Sequence, residues 1–434
     1  MILHPHFDTN EQGHLTIGGA DAVELARRFG TPAYILDENV IRENCRTYLT
    51  AARTHFGADA LPLYASKALS FTGVYRIVAE EGLGIDCVSG GELYTAKNAG
   101  FPAERIYFHG NNKTDADLLQ ALEMGVGTIV VDGSEELEAL NALALKRGTV
   151  QKILLRITPG IDPHTHRAIM TGNVDSKFGN AIVTGQALAI TKTALGLPGV
   201  RLAGFHCHIG SQIFDIEPFR DAADIMLRFI ADVKSATGFE ATELNLGGGL
   251  GVRYTEDDRE IDYAAAIADI AAIVREGAER TGVAMPRVIL EPGRSLVAAA
   301  GATLYTVGSV KEIPGFRNYV SVDGGMPDNP RYALYQSRYT VLIADRAAEK
   351  KDYIATVAGR CCESGDLIGE GMPLQKPKRG DILAVLCTGA YNYSMASNYN
   401  RLPRPPVILV RDGKARVAVR RETYADLVDL DVTE

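Results

Sequence analysis

The amino-acid sequence predicts an α/β fold. A (β/α)8 barrel of the TIM type is expected over residues 31–294, with a mostly antiparallel β-sandwich or β-barrel-like domain over residues 295–434 that also takes up residues 1–30. Three observations carry the expectation. Eight short apolar runs, each ending in polar or glycine residues, lie between positions 61 and 294. Helix-like stretches separate them, and the first four begin about 22 residues apart, the length of one strand–helix repeat. After residue 295, strand-like runs follow one another through turns rather than helices.

The barrel runs are LPLYASK (61–67), GIDCVS (84–89), IYFHGN (106–111), TIVVDG (128–133), KILLRI (152–157), LAGFHCHIGS (202–211), ELNLGGG (243–249) and VILEPGR (288–294). Runs so short and so apolar fit strands buried on both faces of a parallel sheet. Between them, GELYTAKNAG and EPFRDAADIMLRFIADVKSATG have helical character, and Pro218 suits a first helical turn. The second domain is expected from ATLYTVGSV, NYVSVDGG, RYTVLIAD, DYIATVAG, DILAVLC, PPVILVRDG and KARVAVRR. The opening residues, HLTIGG among them, fit no repeat and are expected to pack near the β domain.

Size and composition bound the function. A chain of 434 residues and 46.7 kDa is long enough for two or three domains and buries roughly three-quarters of its unfolded surface. Hydrophobic content of 46% and charged content of 23% exclude disordered and fibrous classes. No apolar run reaches membrane-spanning length, and MILHPHFDTNEQG lacks the basic and apolar regions of a signal peptide, so a cytoplasmic protein is expected. A net charge of −9, with basic residues scattered in short turns, argues against nucleic-acid binding. Six cysteines without CxxC spacing argue against structural zinc and for free thiols. No linker, low-complexity tract or further repeat stands out.

Barrel chemistry sits at the C-terminal strand ends. In order, those ends offer Lys67, Asp86 and Ser89, His109 and Asn111, Asp132, Arg156, His208 and Ser211, Gly247–Gly249, then Glu291 and Arg294. Such a ring calls for a charged ligand. Gly247-Gly248-Gly249 after strand seven lets backbone N–H groups approach an anion, a phosphate site that Ser211 and Arg294 would reinforce; a tight turn is the plain alternative. Lys67 leaves an apolar strand and is expected to be buried with a lowered pKa, as a Schiff-base amine requires, or else to be salt-bridged at the rim. Lysine plus phosphate site suggests pyridoxal phosphate, but aldolases share that pair. Glu291 in EPGR would keep a pyridine nitrogen protonated, the strong electron sink a decarboxylation needs, unless it is a structural partner for an arginine. His206-Cys207-His208 invites a metal reading, but it lies on the sixth strand without a clear remaining ligand set. Stacking of one imidazole on an aromatic cofactor is the better reading. In the β domain, CCESGD, GMPDNPRYALY and GAYNYSM bring Cys362, Glu363, Arg331 and Tyr391. Cys362 could be inert packing, and Arg331 and Arg294 could each clamp a carboxylate.

Taken together, YASKA, GIDCVSGGEL, HGNNK, FHCHIGSQ, NLGGGLG, EPGRS, CESGD and GAYNYSMASNYNRLPRP resemble the diaminopimelate decarboxylase family, pyridoxal-phosphate enzymes of the alanine-racemase-like fold related to ornithine and arginine decarboxylases. The resemblance runs in order from about residue 30 to 410. It implies that Lys67 carries pyridoxal 5′-phosphate and that His208 stacks on its ring. Ser211, Gly247, Gly248, Gly249, Pro292, Gly293 and Arg294 would surround the phosphate and neighbouring groups, with Tyr391 beside it and Asp86 in support. Glu291 would bind the pyridine nitrogen, and Cys362 would protonate the carbanion. Arg294, Arg331, Tyr335, Glu363 and Tyr391 would hold the distal end of meso-2,6-diaminopimelate. Cys362 and Glu363 would come from the partner subunit, which implies a homodimer with shared sites. The implied reaction yields L-lysine and carbon dioxide, the last step of lysine biosynthesis.

Three other readings stand beside it. A decarboxylase of another basic amino acid or a carboxylated polyamine precursor fits the same fold, although a plain diamine precursor would leave a buried Arg331 unpaired. A non-catalytic cofactor-binding homologue would not need Lys67, Glu291 and Cys362 together. A metal-dependent barrel hydrolase is the third. The spacing assigns no role to Arg156 or Cys361. The polar, glycine-containing segment IDPHTHRAIMTGNVDSKFG is expected to form a loop that closes over substrate.

Overall fold

The computed structural model describes residues 2–161 and 175–432, which fall into two compact units. Most of the segment expected to close over substrate lies outside the described residues.

One unit, Asn44–Gly251 with Ile261–Gly293, is the barrel. Its strands are Leu63–Ala65, Gly84–Cys87, Ile106–Phe108, Thr128–Val131, Gln151–Thr158, Val200–His206, Glu243–Asn245 and Arg287–Ile289, all parallel and adjacent in chain order. Each expected run carries one of them. The ring closes where the Leu63 and Ala65 amides donate to the carbonyls of Leu290 and Pro292, at 2.8 and 3.0 Å. Strands walled by neighbours on both faces need apolar side chains throughout. Leu63, Tyr107, Val130, Leu154, Ala203 and Ile289 form one inner cluster, and burying each large aliphatic side chain contributes about 1.5–3 kcal/mol. At the N-terminal end of strand seven, Glu243 binds Lys152 at 2.5 Å, Arg287 at 3.2 Å and the Tyr107 hydroxyl at 3.2 Å. That end is a charge-paired plug, and the chemistry is left to the opposite rim.

Helices return the chain between strands. Gly90–Ala99 starts where Ser89 Oγ accepts the Glu92 amide, and Asp115–Met124 starts with a Thr114–Asp117 capping box. Pro218 lies in the first turn of Glu217–Thr237. Among the described residues, no helix is long and apolar enough to cross a membrane.

The other unit is Met1–Glu43, Val252–Glu260 and Arg294–Glu434. Its main sheet runs Leu367–Leu374, Tyr353–Ala358, Arg317–Val322, Gly301–Ile313, Ala33–Asp37, Val407–Arg411, Lys414–Val419. Ile382–Leu386 adds to Gly301–Ile313, and Val341–Ile343 adds to Ile382–Leu386. A separate three-stranded sheet holds Phe7–Thr9, Leu15–Ile17 and Ala20–Asp21.

The boundaries differ from the expected 31–294 barrel. Ala33–Asp37 is buried at every position, paired antiparallel to Gly301–Leu304 and parallel to Val407–Val410, so the first unit boundary falls at Glu43 rather than residue 30. Val252–Glu260 also leaves the barrel: the Tyr254 carbonyl accepts from Thr340 Oγ1 at 2.9 Å. Arg294, the expected last barrel residue, opens the third segment of this unit. Two pairings, Ala33–Asp37 with Val407–Arg411 and Arg317–Val322 with Tyr353–Ala358, are parallel within the mostly antiparallel sheet.

Candidate active site

In the barrel, the eighth strand ends at Ile289, and the chain turns through Leu290 to a buried Glu291. Its carboxylate accepts from Asn245 Nδ2 at 2.6 Å and from His206 Nε2 at 3.2 Å, while His109 Nε2 lies 2.9 Å away. Asn245 is the last residue of strand seven, His206 the last of strand six, and His109 follows strand three. Parallel strands in register, with His206 opposite Asn245 and Asn245 opposite Ile289, thus help deliver three side chains from different parts of the sequence to one carboxylate. Burial works against its charge, but the two imidazoles outweigh it and hold the Glu291 carboxyl well below the usual range. Burial lowers His206 to about 4, so it is a neutral ring whose Nε2–H donates and whose Nδ1 has no hydrogen-bond partner among the described residues. Among the described residues, the partners of Glu291 are these three side chains rather than an arginine.

Asp86, the penultimate residue of strand two, is also buried, 3.9 Å from His109, and its Oδ1 has no hydrogen-bond partner among the described residues. Burial pushes its carboxyl up. His208, half-buried, is held well below its ordinary value by desolvation and by the nearby Lys67 and Arg156 charges. Arg156 packs over the Phe178 ring at 4.2 Å, with Nε 3.8 Å from Asp132.

Lys67 departs from expectation. It sits in the 3-10 turn Ser66–Ala68, beyond the strand, and is exposed. The turn lifts its side chain off the strand's inward alternation and leaves the amine accessible. Ser89 is a helix cap rather than a ligand.

The glycine triplet is a close-approach device. A Cβ at Gly248 would meet the Glu291 carbonyl oxygen at 2.1 Å, and one at Gly249 the Gly210 carbonyl at 2.6 Å. Only bare backbone fits at these positions, so this rim presents main chain rather than side chains. Pro292 and Gly293 are buried behind it, and Ser211 is half-exposed beside it in sequence after His208.

In the other unit, two buried arginines flank one ring: Arg294 and Arg331 lie 4.9 and 5.3 Å from the Tyr391 centroid. Arg294 also donates to the Tyr254 hydroxyl at 2.7 Å. Arg331, in the helix Arg331–Tyr335, stacks near Tyr335, donates to Ser337 Oγ at 3.2 Å, and leaves Nε without a hydrogen-bond partner among the described residues. A buried guanidinium with an unused donor is half of a carboxylate clamp. Cys362 and Glu363 are exposed on the loop 359–366, where the Cys362 amide donates to Asn400 Oδ1 at 2.7 Å. Cys361 is less exposed, and burial with neighbouring Asp366 pushes its thiol up to about 12.

Neither Asn245 nor Asn400 stands out by residue type at a strand end, and His109 does so only as a rim residue. By donor type, His109, His206 and Glu291, whose ligating atoms lie within 4.8 Å of one another, could also hold a metal ion. This set shares His206 with the HxH pair but not His208.

Residues 40–298 match the model of the pyridoxal-binding domain of pyridoxal-dependent decarboxylases. The chain is 49% identical to the diaminopimelate decarboxylase of Bacillus subtilis, over all of this chain and 98% of that protein. It is 44% identical to that of Staphylococcus aureus, over 96% and 98% of the two chains. The crystal structure of diaminopimelate decarboxylase from M. jannaschii with L-lysine matches with a TM-score of 0.91 at 36% identity, covering 100% of this chain and 99% of that one. The lysine/ornithine decarboxylase of Vibrio vulnificus complexed with putrescine matches with a TM-score of 0.74 at 25% identity, over 90% and 97%.

Proposed function

The chain belongs to the diaminopimelate decarboxylases, a pyridoxal-dependent family, and from that premise we propose how its residues convert meso-2,6-diaminopimelate to L-lysine and carbon dioxide, the last step of lysine biosynthesis. The observation that carries the reading is Glu291: a buried, ionised carboxylate gripped by Asn245 and His206. Such an acid can hold the proton of a pyridine nitrogen. Other features fit the cofactor too: an accessible Lys67 amine, a bare-backbone glycine rim, and buried Asp86 Oδ1 and His206 Nδ1 without hydrogen-bond partners among the described residues.

Pyridoxal 5′-phosphate, when bound, supplies the electron sink for the pair left as carbon dioxide departs. Lys67 is the proposed point of attachment, with Asp86 supporting it. Glu291 would hold the proton of the ring nitrogen; a charge-assisted contact of this kind is worth roughly 1.5–3 kcal/mol. His208, neutral, is proposed against the ring face. Ser211, Gly247, Gly248, Gly249, Pro292, Gly293, Arg294 and Tyr391 are proposed around the phosphate. Arg331, with Arg294, Tyr335, Tyr391 and Glu363, is assigned the distal carboxylate and amine; the spare Nε of Arg331 supports a substrate with a distal carboxylate. Cys362 is assigned the proton delivered to the carbon that carbon dioxide leaves.

A homodimer with shared sites belongs to the same proposal. Cys362 and Glu363 lie outward on their loop, as residues serving a partner subunit's site would. Cytoplasmic placement is proposed with it; all six cysteines are free thiols. The test is carbon dioxide release from meso-diaminopimelate and, separately, from lysine, ornithine and arginine, with the visible spectrum of the bound cofactor followed alongside. Release from diaminopimelate alone is expected. Cofactor absorbance with no release from it would sink the substrate assignment.

A further inference from the structure

The loop carrying Cys362 and Glu363 and the segment carrying Arg331 are joined by one buried side chain. Asp366 Oδ1 accepts the Met326 amide at 2.6 Å, and Oδ2 accepts the Cys361 amide at 2.7 Å. Room for the carboxylate is built in from both sides. A Cβ at Gly325 would come within 2.3 Å of Oδ1, and one at Gly359 within 2.2 Å of Oδ2. The backbone repeats the tie, with the Arg360 amide donating to the Gly324 carbonyl at 3.0 Å and the Gly359 amide to the Asp366 carbonyl at 2.9 Å. Beyond Met326, Asp328 is buried as well. The Tyr305 hydroxyl binds its Oδ1, the Gly325 amide donates to its Oδ2 at 3.1 Å, and the helix Arg331–Tyr335 begins three residues on. Position is thus passed from Asp366 to the Arg331 guanidinium through a short stretch in which the Asp328 and Asn329 amides both donate to the Gly325 carbonyl, at 3.1 and 2.7 Å.

We infer that Asp366 is a positioning residue for the reaction, fixing at once the loop that presents Cys362 and Glu363 and the segment that presents Arg331. The inference rests on the shared-site reading above. Under that reading Arg331 serves the chain's own site while Cys362 serves the partner subunit's, so one carboxylate sets the geometry of two active sites. A buried acceptor with two backbone donors cannot be replaced by an amide without turning an N–H against one of them. One of the two segments must then shift. Displacements on the ångström scale cost up to about 100-fold in rate.

The experiment uses the cofactor-loaded enzyme and dimers assembled from differently tagged chains. Asp366→Asn in both chains is expected to raise KM and lower kcat, each by about tenfold or more, with cofactor absorbance unchanged. Should that variant not fold, Asp366→Ser takes its place. A dimer of one Lys67→Ala and one Cys362→Ala chain contains one intact site if sites are shared. Its failure to regain activity overturns the shared-site reading, and with it the coupling of two sites. In a dimer of one Lys67→Ala and one Asp366→Asn chain, the lysine-bearing site takes Cys362 from an unaltered loop and Arg331 from the altered chain. There kcat per working site should return to near wild type while KM stays raised. Wild-type KM in this dimer, or wild-type kinetics in the Asp366→Asn homodimer, overturns the positioning role while leaving the shared-site reading intact.

Discussion

His206 Nε2 lies 3.2 Å from Glu291 Oε2, with both residues buried in the barrel. A neutral ring from the sixth strand thereby fixes the orientation of an acid that follows the eighth, and ties the electronic role of Glu291 to a residue outside its own motif.

Glu291→Ala should keep bound cofactor, because the attachment at Lys67 is untouched, yet lose most turnover. Absorbance of the loaded variant and carbon dioxide release from diaminopimelate measure the two separately. Near-full activity would remove Glu291 from the chemistry. Lys67→Ala, in contrast, should lose both signals together.

Stability should fall with acid partly through His206. Its ring titrates near 6.5 when unfolded and at about 4 when folded, so the unfolded chain takes up the proton first. The contribution is therefore complete above pH 6.5, declines as pH drops toward 4, and amounts to about 3 kcal/mol over that window. Glu291, also depressed, loses stability in the same direction. Urea unfolding of wild type and His206→Gln at pH 7 and pH 5 isolates the histidine: the variant should show the smaller change between the two.

Arg331→Ala should raise KM for diaminopimelate by about 10- to 100-fold, the loss of a charge-assisted bond, with a smaller change in kcat. Steady-state kinetics at saturating cofactor decide it. An unchanged KM would free Arg331 from the distal carboxylate.

The two adjacent thiols should differ in reactivity. Cys362 is exposed, while Cys361 is pushed up to about 12 by burial and Asp366, which leaves almost no thiolate at pH 8. Brief iodoacetamide treatment followed by peptide mass spectrometry should find the label on Cys362, and activity should fall in step with it. Cys361→Ala should retain activity; equal labelling of both would contradict the assignment.

Much of the barrel was legible because doubly buried strands have no choice but to be short and apolar. Leu367–Leu374 escaped because Gly369 and Gly371 interrupt its apolar pattern, and Ala33–Asp37 because one isolated run cannot announce partners hundreds of residues away. In the site, Lys67, Asp86, Gly247–Gly249 and Glu291 stood out by residue type at strand ends. Asn245 did not: inside ELNL it reads as an interruption of a strand, and its meaning arises only when strands seven and eight lie side by side. The exposure of Lys67 depended on a 3-10 turn that no periodicity encodes.

Ala33–Asp37 has a further consequence, set by the direction of synthesis. It emerges early, but the strands that cover its two edges, Gly301–Ile313 and Val407–Arg411, follow roughly 260 and 370 residues later. At translation rates of about 5–20 residues per second, both edges stay open for tens of seconds. A nascent chain that stalls before residue 407 would carry a ribbon, apolar up to Asp37 at its end, with one side bare, a template for pairing with another chain. Shielding that ribbon is a task for the ribosome's surroundings, and it ends only when the last strands leave the exit tunnel.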